Sequence, residues 1–151
     1  MKILLAVDGS PCSDAAVEEV AMRPWPPDSE VRVVSAVEPH ATITSEPWIA
    51  SVNYFEEVEK IERDEAKRSL ERAETILRAG TGTAKLQLTT EILQGSARRT
   101  IIEEADKWGA ELIVLGSHGY KTWERLLLGS VSQAVALHAG CSVEIVRRKQ
   151  C

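Results

Sequence analysis

The apolar residues of this chain alternate between two patterns, short continuous runs and longer stretches of helical spacing. Lys2 to Val7 carries five apolar residues in a row, as in a strand covered on both faces. Glu111 to Leu115 repeats the pattern, Val31 to Val37 is read as the second strand, and Ser142 to Val146 ends the series with Val143, Ile145 and Val146. Lys85 to Leu93 instead alternates, through Leu86, Leu88 and Thr90, and is read as a third strand with one wetter face.

Between these runs the spacing is helical. Ser10 reads as an N-cap with Pro11 at the first helical position, and Ala15, Ala16, Val17, Val20 and Ala21 form an apolar stripe. Pro24, Pro26 and Pro27 end that helix. A long helix is predicted from Val52 to Ala79, with a stripe of Val52, Phe55, Val58, Ile61, Ala66, Leu70, Ala73 and Leu77. Glu59/Arg63, Asp64/Arg68 and Glu74/Arg78 stand as i,i+4 pairs on its wet side, and Gly80 and Gly82 supply its stop. Ser96 caps a helix bearing Ile101, Ile102, Ala105 and Trp108, and a last helix runs from Ser130 to His138. Strand and helix alternate strictly. That order predicts an α/β fold in three layers, a five-stranded parallel sheet between helices on both faces. The connection from 38 to 51, with Pro39, Pro47 and Trp48, is longer than most in compact domains. Trp48 is a candidate lid residue, against the alternative of an ordinary surface loop.

Composition narrows the function. At 151 residues, one domain spanning 1–151 is expected. A net charge of −5 argues against nucleic-acid binding, and the basic run Arg147-Arg148-Lys149 is short. No apolar stretch approaches the ~20 residues of a membrane helix, and the first strand leads straight into Asp8-Gly9-Ser10 without a signal-cleavage pattern. Cys12, Cys141 and Cys151 show neither metal spacing nor a disulfide framework. These features point to a cytoplasmic protein without nucleic-acid or membrane partners.

The candidate chemistry lies at the carboxyl ends of the predicted strands, where open parallel sheets bind ligands. Gly116-Ser117-His118-Gly119 follows the fourth strand, and nine residues later Gly129-Ser130 opens a helix. Glycines let a ligand approach the backbone, and a helix N-terminus attracts anions. The pattern is neither a P-loop nor a dinucleotide fingerprint. Asp8 closes the first strand, and Ala36 and Val37 close the second. The reading is a nucleotide crevice. Gly116, Gly119, Gly129 and Ser130 hold phosphates, Asp8 accepts from ribose or helps hold a cation, and the Ala36 backbone meets the base. His118 has no nucleophile to form a triad with and is expected to bond backbone.

Three stretches make the resemblance specific: Leu5 to Ser10, Gly109 to Gly119, and Leu127 to Ser132. Over nearly its whole length the chain resembles the universal stress protein family, whose nucleotide-binding members carry Gly-x-x-Gly, nine residues, then Gly-Ser/Thr. The resemblance implies a Rossmann-like sheet in order 3-2-1-4-5, of the adenine nucleotide alpha hydrolase-like type. It implies ATP, or AMP or ADP, bound with Mg²⁺ or Mn²⁺. It adds Ala6, Val7, Ser10, Val37, Leu115, Ser117, His118, Val131 and Ser132 to the candidate binding residues, with Asp8 near a phosphate-bound metal. It implies a stress-response sensor or regulator that dimerises through the last strand, Ser142 to Val146. Two departures stand out. Ser142 replaces a proline common after the cysteine, and Tyr120 and Trp123 add bulk to the nine-residue segment. No residue is assigned a catalytic role. A slow ATPase and a nucleotide-independent interaction module are the alternative readings.

Overall fold

A computed structural model describes residues 1–39, 52–83, 86–119 and 128–147. The elements run β1 (Lys2–Ala6), α1 (Pro11–Met22), β2 (Glu30–Val37), α2 (Val52–Ala79), β3 (Gln87–Gln94), α3 (Ala97–Trp108), β4 (Leu112–Gly116), α4 (Ser130–His138) and β5 (Ser142–Val146). The five strands form one sheet in the order β3-β2-β1-β4-β5, and every pairing is parallel. The strand order therefore reverses between β1 and β4, and the crevice a parallel sheet offers to ligands opens there.

Side-chain alternation sorts the core into two layers. Ile3, Leu5, Val7, Val31 and Val33 face α1 and α2, where they meet Val17, Val20, Leu70 and Leu77. Leu4, Ala6, Val34, Ile113 and Leu115 face the other way, onto Ile101, Ala105 and Val135 of α3 and α4. Central strands buried on both faces have no room for polar alternation, which explains the unbroken apolar runs of β1 and β4. β3 lies at the sheet edge, and most of its residues are exposed.

Several expected details shift. β1 ends one residue early, although Val7 N–H still donates to Val34 C=O at 2.9 Å. β3 is offset to Gln87–Gln94, and Lys85 lies outside the described residues. In α2 the buried ridge is Ala66, Leu70, Ala73 and Leu77, whereas Ile61 is 56% exposed. The ridge continues toward the N-terminus through Glu62 and Val58, four residues apart, so Ile61 falls off it. Of the expected α2 ion pairs, Glu59–Arg63 and Glu74–Arg78 form; Asp64–Arg68 is not among those of the described residues. Ser96 occupies the N-cap of α3 without a side-chain capping bond. α2 stops at Ala79 as expected, with no left-handed φ at Gly80 or Gly82; both lie under the end of α1, where a Cβ on Gly82 would sit 1.9 Å from Arg23 O. The other core layer contains a charge cluster, in which Arg32 pairs with the buried Glu104 and stacks 4.4 Å from the Trp108 ring.

Candidate nucleotide-binding site

At the carboxyl end of β1 the chain turns through Gly9, at φ +79°, into Ser10. Ser10 caps α1 by accepting from Ser13 N–H at 3.3 Å. The same residue anchors Asp8. Ser10 donates through its N–H at 2.9 Å and its hydroxyl at 2.6 Å to Asp8 Oδ1, with His118 C=O a longer alternative acceptor at 3.3 Å. Asp8 N–H donates to Ser13 Oγ at 3.2 Å. One carboxylate oxygen is thus committed to the turn. The other, Oδ2, faces Gly119, where a Cβ would stand 2.6 Å away.

At the end of β4, Gly116 packs against the start of α1; a Cβ there would meet Cys12 C, Cys12 O and Ser13 N at 2.6–2.8 Å. Ser117 is wholly buried and joins three elements. Its N–H donates to Val146 C=O at 2.9 Å, and its C=O accepts from Gly129 N–H at 2.8 Å and from Ser132 Oγ at 2.9 Å. Its hydroxyl lies 3.8 Å from Cys12 Sγ and 3.1 Å from His118 Nδ1. The two ends of the glycine excursion are therefore fastened to each other. No side chain caps α4, so its first N–H groups open toward the crevice together with the positive end of its dipole.

These pieces enclose one cavity of about 410 Å³. Ala6, Val7, Asp8, Ala36, Leu115, Gly116, His118, Gly119, Gly129, Ser130, Val131 and Ser132, all expected from the sequence, line it. Three expected residues do not. Ser10 is buried behind Asp8, Ser117 is buried beneath the glycine excursion, and Val37 lines an adjoining cavity of about 240 Å³ with Glu38, Glu62 and Glu65. The Ser132 hydroxyl is spent on the Ser117 and Gly129 carbonyls, both at 2.9 Å. His118 Nδ1 meets the Ser117 hydroxyl at 3.1 Å. Sequence reasoning missed Ser13, Val34, Ala97 and Ile101. Val34 was legible in principle, two residues before Ala36 on the same face; Ala97 and Ile101 come from a helix that only the crossover brings near.

The cavity divides by chemistry. Ala6, Val34, Ala36, Ala97, Ile101 and Leu115 make one end apolar, while Asp8, the glycine backbone and the N-terminus of α4 make the other polar. The β1–β2 ladder ends with Val7 N–H on Val34 C=O, so Ala36, two residues on, carries its backbone groups to the same side past that bond. Among the described residues lining the cavity, Asp8 and His118 are the ionisable ones. Nearby, Asp14 in the first turn of α1 has its carboxyl raised above the usual range by burial, with Arg72 opposing. No group of three or more His, Cys, Asp or Glu among the described residues is arranged to hold a metal. Trp48, Tyr120, Lys121, Trp123, Arg125 and Cys151 lie outside the described residues.

Residues 1–147 match the sequence profile of the universal stress protein family. A universal stress protein of Thermus aquaticus is 34% identical over 148 residues, covering 96% of this chain and 97% of the relative. One from Mycobacterium bovis is 32% identical over 152 residues, covering 95% of this chain but 47% of the relative. The chain thus spans about half the length of that mycobacterial protein. Among solved structures, the hypothetical protein MJ0577 superposes with a TM-score of 0.78 at 26% identity, covering 98% of this chain and 96% of its own. A universal stress protein in complex with cAMP (TM-score 0.70, 22% identity, 97% of each chain) shares the fold. So does one from Archaeoglobus fulgidus in complex with dAMP (TM-score 0.65, 22% identity, 97% of this chain and 98% of that one). No described helix is long and apolar enough to cross a membrane. With the sheet order, the whole-chain profile match and relatives above 30% identity in agreement, the chain belongs to the universal stress protein family.

Proposed function

We propose that this chain binds an adenine nucleotide, ATP with Mg²⁺ or Mn²⁺, in the crevice between β1 and β4. In this reading it acts in the cytoplasm as a stress-response sensor or regulator. The observation that carries the reading is that Asp8, Ala36, the Gly116–Gly119 turn and the uncapped start of α4 share a cavity of about 410 Å³. Its volume is in the usual range for small-molecule sites. The apolar end suits a purine ring, with the Ala36 backbone reading its edge. Asp8 Oδ2 suits a sugar hydroxyl. The N-terminus of α4 suits phosphate. A divalent cation would be held by the phosphates and by water, with the Asp8 carboxylate reaching it through one of those waters. The relatives of this fold that hold cAMP and dAMP support the ligand class.

The site suits holding a nucleotide rather than cleaving it. Asp8 is tied to Ser10, and His118 Nδ1 is tied to Ser117. Dimerisation through β5 fits its place at the sheet edge, paired on one side with β4 and bearing half-buried Val143 and Ile145. Thermal unfolding with Mg-ATP tests the binding. At 100 times its Kd a ligand adds ~2.7 kcal/mol, which for a protein of this size raises the midpoint by roughly 5–10 °C. No shift at millimolar Mg-ATP, together with no nucleotide in the purified protein by mass spectrometry, would refute it.

A further inference from the structure

We propose that Ser13 is a ligand-contact residue, donating its hydroxyl proton to a ribose hydroxyl oxygen. The inference rests on the nucleotide reading and adds a residue that the sequence pattern did not mark. Ser13 lies in the first turn of α1, is 4% exposed, and lines the cavity. A serine hydroxyl has one proton and two lone pairs. One lone pair accepts from Asp8 N–H at 3.2 Å. Among the described residues, no hydrogen bond takes the proton. The Oγ already has a partner through that acceptance, and its proton stays available to an acceptor inside the cavity that Ser13 lines.

Neighbouring charge decides which acceptor. Ser13 Oγ is bonded to the backbone N–H of Asp8 itself, and the Asp8 carboxylate repels a phosphate brought to the same spot. A sugar hydroxyl is the complementary group, because it donates and accepts at once. It gives its proton to Asp8 Oδ2 and receives one from Ser13 Oγ. The packing of Gly116 against Ser13 N fixes this floor between β1 and β4.

Titration calorimetry of the wild type, Ser13→Ala and Ser13→Thr with Mg-ATP, 2′-deoxy-ATP and 3′-deoxy-ATP tests this. One neutral hydrogen bond corresponds to roughly a three- to tenfold change in affinity. The wild type and Ser13→Thr should bind one deoxy analogue weaker than ATP by more than that factor, since the analogue loses its bond to the Asp8 carboxylate as well. Ser13→Ala should lose affinity for ATP while binding that analogue as the wild type does. Equal weakening of all three ligands by Ser13→Ala would show that Ser13 acts only by holding Asp8, and would overturn the proposal. Unchanged binding of all three would overturn it as well. Should the alanine variant fail to fold, Ser13→Cys, with a much weaker donor, gives the same comparison. A wild type that does not bind ATP would defeat the nucleotide reading itself, and this inference with it. Binding without sugar discrimination would defeat this inference alone.

Discussion

Gly119 and Asp8 face each other across the mouth of the crevice so closely that a Cβ on Gly119 would stand 2.6 Å from Asp8 Oδ2. The glycine leaves room for the carboxylate as well as for a ligand. Gly119→Val should therefore push Asp8 out of position and abolish the thermal shift with Mg-ATP. The unliganded protein should still melt cooperatively, since the crowded atom is the end of an exposed side chain. A full Mg-ATP shift in the valine variant would show that the turn is not the site.

Gly82 makes the opposite kind of close approach, against backbone. A Cβ there would come within 1.9 Å of Arg23 O, beside the bond from Gly82 N–H to Ala21 C=O at 3.0 Å. Backbone cannot swing aside, so Gly82→Ala should separate the ends of α1 and α2. The expected cost is about 2 kcal/mol, a fall of about 4–8 °C in the melting midpoint. An unchanged midpoint would contradict this packing.

Arg23 grips the edge strand. Its two terminal nitrogens meet the Glu144 carboxylate at 2.6 and 2.7 Å, and one also meets Glu19 at 2.9 Å. These bonds, that to Glu144 first, hold the guanidinium pKa above its ordinary value. Both partners of the Arg23–Glu144 pair are about a third exposed, so solvent screens the attraction. A double-mutant cycle of Arg23→Ala and Glu144→Ala should give a coupling of about 1 kcal/mol, smaller in high salt. A coupling of zero at low salt would mean the clamp does not hold β5 to α1.

Asp14 gives a pH signature. Burial raises its carboxyl pKa, the Arg72 contact at 2.7 Å opposes, and Glu18 and Asp8 add to the rise. A carboxyl with a raised folded pKa stabilises the fold below its unfolded pKa, and that contribution is lost as pH rises through the folded value. The stability of the wild type relative to Asp14→Asn should therefore increase as pH falls from 7 toward 4, measured by urea unfolding. The reverse trend would show that the Arg72 pair outweighs burial.

Most of the fold was legible because period and punctuation agree. The apolar runs of β1 and β4, Ser10 with Pro11, and the prolines after α1 each have one local interpretation. Where local signals were ambiguous, tertiary context decided. Ile61 fits a helical stripe by spacing, yet α2 turns it to water while Glu62 lies toward the sheet side. Gly80 and Gly82 read as helix stops, yet their necessity comes from α1, some sixty residues earlier.

The candidate site divides along the same line. The residue types at each strand end are legible along the chain, because Asp8, Ala36 and the paired glycine segments are local features at predictable places. Which of them share a cavity follows only from the folded arrangement of strands and helices. Ser13, Val34, Ala97 and Ile101 enter it, while Ser10, Val37 and Ser117 stay out. The physical reason is that lining a cavity depends on strand order and side-chain direction together. Parallel crossovers bring residues about a hundred positions apart, such as Asp8 and Gly119, into contact that no pattern along the chain records.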